Sequence, residues 1–279
     1  MISVVMANFN GEKYIKEAIE SVLDQDFDNY EFIIVDDGST DNSREIISEF
    51  HKKYTATIHP IFQKKNYGQG VAFNIGLSLA KGDIISFIDS DDIWYPDKLK
   101  NVFSFLSNSQ NISLLQHNLH LIRKDIITNE KVLDVLITGD YFSYSKKKNI
   151  KPFFVPTSGL SFPKPILDKV LPIPDNFKTS ADSFITHTCF CYGEVVSVNQ
   201  CWGAYRVHEN NIVFENPKFN NLDFNNNLLF PLVNNYYKKS NIDFKFNTFG
   251  PIKRKLFVFI PPILFSIKKK IINKISILK

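Results

Sequence analysis

The sequence predicts an α/β fold built on a mostly parallel sheet flanked by helices, and three observations carry the prediction. Apolar runs of strand length recur at residues 2–6, 32–35, 58–62 and 84–88. A short polar or glycine-bearing loop follows each run, and residues with helical periodicity follow each loop. Strands in such a succession lie parallel with helices crossing over, and ligands bind beyond their carboxyl ends.

The first strand, Ile2-Ser3-Val4-Val5-Met6, leads into a turn at Asn8-Phe9-Asn10-Gly11, residues that tolerate left-handed backbone. Over residues 12–24, Tyr14, Ile15, Ala18, Ile19, Val22 and Leu23 make one helical stripe. The second strand ends in Asp36-Asp37-Gly38-Ser39-Thr40-Asp41, ahead of a helix carrying Ile46, Ile47 and Phe50. After the third strand, Asn66-Tyr67-Gly68-Gln69-Gly70 precedes a helix over 71–80 whose small residues allow close packing.

The fourth strand delivers Asp89-Ser90-Asp91-Asp92, three carboxylates within four residues. Like charges this close repel, and a hard divalent cation is one way to hold them together. The alternative is a solvated acidic turn whose aspartates cap the next helix, begun at Trp94-Tyr95-Pro96-Asp97. A helix over 98–106 and a strand over 112–122 come next, then a surface loop over 123–151 that includes Lys146, Lys147 and Lys148. Residues 154–162 read as a strand with a turn, 163–174 as a proline-punctuated stretch, and Asp182 as a residue placed before an apolar helix. Taken alone, Asp182 is a helix cap.

The 279 residues suit one elaborated domain or two small ones, and a formal charge of +4 is too mild to argue for nucleic acid as a partner. Cys189, Cys191 and Cys201 form no paired spacing, which favours a reducing, cytoplasmic setting. The chain opens directly into a strand and not into a basic, then apolar, leader.

The ordered set Ser3–Asn10, Val35–Asp41, Asn66-Tyr67-Gly68 with Asn74-Ile75-Gly76, and Asp89–Asp92 resembles the family 2 inverting glycosyltransferases of the GT-A, Rossmann-like fold. The resemblance spans about residues 2–215. It implies a domain over 1–215, with a nucleotide-sugar half at 1–100 and an acceptor half at 101–215, followed by a helical extension over 216–279. It implies transfer of a sugar from a nucleoside diphosphate donor, UDP by family habit, to a glycan or glycolipid acceptor in surface polysaccharide assembly.

Residue by residue, the resemblance implies that Ala7, Phe9, Asp37 and Asn66 hold the nucleoside and that Asp89 contacts the ribose. Asp91 and His208 would hold Mn²⁺ or Mg²⁺, and Arg206 would pair with a phosphate or a carboxylate. Thr157, Ser158 and Gly159 would line the acceptor side, and Asp182 would be the catalytic base. The family often has Pro or Thr in place of Ala7, Tyr in place of Phe9, and Glu in place of Ala181. Two readings from other classes stay open on the residues alone: a nucleotide-sugar binder without catalysis, and a Mg²⁺-dependent phosphoacceptor domain. The basic, apolar tail over 253–270 either lies on an anionic membrane surface, which would make the protein peripheral at the inner face of the membrane, or docks on the catalytic domain.

Overall fold

A computed structural model describes residues 1–107, 111–148, 151–208 and 220–247. In chain order the elements are β1 (Ile2–Asn8), α1 (Ile15–Leu23), β2 (Tyr30–Asp36), α2 (Ser43–Lys53), β3 (Ile58–Phe62), α3 (Gln69–Leu79), β4 (Ile84–Asp89) and β5 (Ile93–Trp94). Then come α4 (Lys98–Leu106), β6 (Ile112–Arg123), β7 (Ile126–Lys131), α5 (Tyr141–Lys148), β8 (Leu160–Pro163), α6 (Lys164–Val170), α7 (Ala181–Cys189) and β9 (Glu194–Val207). Helical backbone resumes as α8 (Asn221–Phe224), passes through a π-turn at Asn225–Leu229 and continues as α9 (Phe230–Lys239).

Among the described residues the strands form one mixed sheet in the order β3-β2-β1-β4-β8-β6-β9-β5, with β7 paired on β6. The first four strands are parallel, as the strand–loop–helix repetition requires. Their register sets Asn8 beside Asp36 and Ala7 beside Asp89, so the polar loops meet at one edge. Beyond β4 the direction changes: β8 runs antiparallel to β4 and to β6, while β9 runs parallel to β6. The short β5 pairs with the end of β9, Ile93 opposite Ala204, and this carries residues 204–208 across Asp91 and Asp92.

Alternation along the strands divides the core. Val4, Met6, Phe32, Ile34 and Ile88 pack on one face against Ile15, Ile19 and Val22 of α1, Ile47 of α2 and Leu99 and Val102 of α4. Val5, Ile33, Val35, Ile85 and Phe87 pack on the other against Ala72, Phe73 and Leu77 of α3 and against α6 and α7.

The second half departs from expectation in three places. Residues 123–151 hold β7 and α5, because the β6–β7 hairpin turns on Lys124 and Asp125, both at positive φ, a turn that Asn-Gly would have announced. Pro165 starts α6 near its first position instead of breaking a helix. The helix over 98–106 is found as expected, but Trp94, read as part of its start, forms a strand with Ile93.

Within the predicted extension, Leu229, Phe230, Val233, Tyr237 and Phe246 are buried in the same core as α3 and α7. The Tyr237 hydroxyl donates to the His187 carbonyl. Residues 220–247 are therefore part of the domain's packing. No helix among the described residues is long and apolar enough to cross a membrane. The tail over 253–270 lies outside the described residues. Tyr237→Ala should destabilise the protein by about 3–5 kcal/mol in urea denaturation; an unchanged midpoint would show that α9 is not part of the core.

Candidate active site

The carboxylate cluster is built where β4 ends. Asp89 is its last residue, the Asp92 N–H donates back to the Asp89 carbonyl at 3.2 Å, and one carboxylate oxygen from each of Asp89, Asp91 and Asp92 lies within 4.8 Å of the others. Burial pushes the Asp89 carboxyl well up from its usual range, with the charges of Asp91 and Asp182 adding to it and the Thr157 hydroxyl opposing. Burial likewise raises Asp92, reinforced by Asp91 and Asp89 and opposed by the Ser158 hydroxyl and the Arg206 N–H. Hard oxygens that are this close and resist ionising together fit a divalent cation.

What holds the cluster from beneath is the turn at 157–159. The Asp89 N–H donates to Ser158 Oγ at 2.9 Å, while the Ser158 carbonyl accepts Trp94 Nε1–H at 3.0 Å and Lys98 Nζ at 2.5 Å. Lys98 is fully buried, with its ammonium 3.7 Å from the centroid of the Trp94 ring. Burial lowers the Lys98 amine, and the charge of Asp92 opposes that. Nothing in the sequence marks Lys98, whose partner Ser158 is 60 residues away. Thr157, Ser158 and Gly159 are the residues that the resemblance sets on the acceptor side. The structure buries all three, with the Ser158 hydroxyl taking the Asp89 N–H and the Ser158 carbonyl taking Trp94 and Lys98.

Arg206 and His208 arrive on the end of β9. The Arg206 N–H donates to Asp92 Oδ1 at 2.8 Å and its Nε to the Asp91 carbonyl at 2.9 Å. Nη1 reaches Asp125 at 2.7 Å and Nη2 reaches Glu17 at 2.5 Å, with the guanidinium 4.4 Å from the centroid of the Tyr14 ring. Of the two expected partners for Arg206, a carboxylate or a phosphate, the structure shows carboxylates. His208 Nε2 stands 2.8 Å from Asp91 Oδ2, and its ring stacks on Tyr14 with centroids 5.3 Å apart.

Asp182 occupies the first turn of α7, just after Ser180, which is left-handed at φ 55°. The loop leading to it is clamped by the start of α3. The Gln69 and Gly70 N–H groups donate to the carbonyls of Lys178 and Phe177, Gln69 Oε1 accepts the Ala181 N–H at 2.9 Å, and Asn74 bonds both backbone groups of Ile173. A Cβ on Gly68, itself at φ +100°, would lie 2.7 Å from Lys178 Cα. Burial raises the Asp182 carboxyl to about 6, opposed by the Ser183 N–H and by Lys151. The charge of Asp182 also helps to raise the Asp89 carboxyl. The buried Tyr205 ring stands close enough for its hydroxyl to be raised by burial and by Asp92, Asp91, Asp89 and Asp182.

Of the residues expected at the nucleoside, Asp37 is buried in the loop after β2. Its Oδ1 accepts Gln63 Nε2 at 2.7 Å and the Tyr67 N–H at 2.8 Å, and its Oδ2 accepts the Gly68 N–H at 2.7 Å. Ala7 is partly buried, Asn66 is exposed, and Phe9 presents 47% of its surface. These residues sit at the carboxyl ends of β1, β2 and β3, the edge at which Asp89 ends β4.

Comparison with known proteins matches residues 3–170 to the family described as glycosyl transferase family 2. An uncharacterized glycosyltransferase of Nostoc sp. is 36% identical over 74% of this chain and 65% of its own length. The Escherichia coli UDP-Glc:alpha-D-GlcNAc-diphosphoundecaprenol beta-1,3-glucosyltransferase WfgD is 30% identical over 63% of this chain and 64% of its own. The chain thus spans less than two thirds of the length of either relative. A crystal structure of S. aureus TarS in complex with UDP-GlcNAc superposes with a TM-score of 0.65 at 20% identity, covering 88% of this chain and 68% of that one. The fold is the GT-A fold.

Gly159→Ala should be among the costliest small changes near the site, since the added Cβ would meet the His117 carbonyl at 2.7 Å and Val155 Cγ2 at 2.6 Å. About 1–3 kcal/mol of stability should be lost in thermal or urea unfolding. Wild-type stability for this variant would mean that the turn is not packed as described.

Proposed function

Because this chain belongs to glycosyl transferase family 2, we propose that it is an inverting enzyme that moves a sugar from a UDP-sugar to an acceptor hydroxyl on a glycan or glycolipid. The observation that supports this reading is the Asp89, Asp91 and Asp92 cluster at the end of β4, with Asp182 carried on a separately clamped loop. The complexes and names of TarS and WfgD support a UDP-sugar donor, and WfgD supports an acceptor on a lipid diphosphate. Such an acceptor would bring the enzyme to the inner face of a membrane.

The geometry supports the following division of labour. Asp37 keeps acceptor capacity at Oδ2 for an N–H of the base, Ala7 and Phe9 offer apolar surface to the nucleoside, and Asn66 lies at its rim. Asp89 takes the ribose. Asp91, with His208 beside it, would hold Mn²⁺ or Mg²⁺, which when bound offsets charge on the diphosphate. Arg206 fixes Asp91 and Asp92 through its backbone and guanidinium. Asp182 accepts the proton of the acceptor hydroxyl as that oxygen attacks the anomeric carbon, and the departing C–O electrons go to the diphosphate. The new bond forms on the face opposite the one that breaks, so configuration inverts.

Asp182→Asn should cut transfer at least about 100-fold with UDP binding retained, read by product mass from UDP-sugars and a lipid extract. Near-normal turnover would overturn the role of Asp182. A base pushed up to about 6 must be ionised to act, so kcat/KM should fall about tenfold per unit as pH drops below that value. A profile flat to pH 5 would contradict the assignment. Asp91→Asn should weaken Mn²⁺-dependent UDP binding at least about tenfold in titration calorimetry; UDP affinity indifferent to Mn²⁺ and EDTA in the unaltered protein would remove the metal from the reading.

A further inference from the structure

The side chain of Tyr14 has no evident work in the fold. The residue begins α1, yet its hydroxyl makes no cap bond to the first turn of that helix, and among the described residues its ring joins none of the apolar clusters of the core. Its backbone is firmly mounted. The Tyr14 N–H donates to the Gly11 carbonyl at 3.0 Å, and the Tyr14 carbonyl accepts the Ala18 N–H at 3.2 Å. Gly11 in turn abuts the carboxylate turn, since a Cβ there would lie 3.1 Å from Ser90 Oγ and would strike Asn8 Oδ1. The start of α1 is thereby seated beside Asp89, Asp91 and Asp92.

What the ring touches is the end of β9. Arg206 lays its guanidinium 4.4 Å from the ring centroid, and the His208 imidazole stacks on the same ring with centroids 5.3 Å apart and 29° between the planes. Glu17, one turn further along α1, takes Arg206 Nη2, so the first turn of the helix grips Arg206 both by charge and by ring face. The pairing of β9 with β6 ends at Val207 among the described residues, one residue short of His208, so the ladder does not orient that imidazole. We propose that Tyr14 does: it is a positioning residue that keeps the His208 ring against Asp91, where Nε2 stands 2.8 Å from Oδ2. The inference rests on the reading of Asp91 and His208 as the residues that hold the cation. An imidazole stacked in place before the ion arrives loses less freedom on binding it. Contacts of this kind, one step removed from the ion, commonly account for about 10–100-fold in metal affinity.

The test reads binding and not turnover. Titration calorimetry with UDP is run on the full chain in Mn²⁺ and again in EDTA. In Tyr14→Leu the affinity in Mn²⁺ should fall about tenfold or more while that in EDTA stays within about twofold of the unaltered protein, and Tyr14→Phe, which keeps the ring, should restore the affinity in Mn²⁺. Tyr14→Leu added to His208→Ala should cost less than about twofold further, because the ring acts through the imidazole. If Tyr14→Leu does not fold, Tyr14→Gln takes its place with the same outcomes expected. Unchanged affinity in Mn²⁺, an equal loss in EDTA, or full additivity with His208→Ala would each overturn the proposal. Failure of the metal reading would show in the unaltered protein, as UDP affinity indifferent to Mn²⁺ and EDTA, and would take this inference with it.

Discussion

Repulsion among carboxylates gathered at the end of β4 is the constraint around which the molecule is arranged. Two unit charges 4.8 Å apart, the outer limit of the separations in the cluster, repel by about 3 kcal/mol at the effective dielectric of a protein. A domain's net stability is only about 5–15 kcal/mol, so three such groups cannot be assembled without compensation. The structure supplies it from four directions. Hydroxyls of Thr157 and Ser158 rise from beneath, the Arg206 N–H arrives from β9, the Lys98 ammonium is buried behind, and His208 closes over Asp91. Each arrives from a different part of the chain, and residues 204–208 are brought to the cluster by the pairing of β5 with the end of β9.

The parallel half was readable because each of its strands is nearly continuous in apolar residues and ends in the polar loop that it positions. Asp37, Asp89, Asp91 and Asp182 could be singled out for the same reason: they stand at element boundaries, where a short polar run interrupts a periodic pattern. Among the compensating groups, Thr157, Ser158, Arg206 and His208 could be singled out as well, but Lys98 could not. It sits in a stretch that looks like ordinary solvated surface, and its burial depends on a partner 60 residues away. Ser158 and Thr157 were noticed for their hydroxyls but were read as facing a ligand, because the sequence does not say which side of the turn is covered. The β6–β7 hairpin was missed because Lys124 and Asp125 adopt left-handed backbone without the glycine that signals it.

The same uneven legibility bears on the C-terminal segment. Its abundance of Asn and Phe gives no clean periodicity, and the resemblance stops before it. Yet Phe224, Phe230, Tyr237 and Phe246 join Phe177, Phe184 and Phe190 in one aromatic core. The aromatic richness that looked compositional is what seals the face of the sheet behind α7.

The junction of α3 with the loops on either side of it has a consequence for how such a protein can diversify. Asp37 grips the backbone of Tyr67 and Gly68, Gly68 abuts Lys178, and Gln69 grips Ala181. Asp37 and the residue before Asp182 are thus joined through three consecutive positions at the start of α3, so that reshaping residues 67–69 would move the loop that carries Asp182 as well.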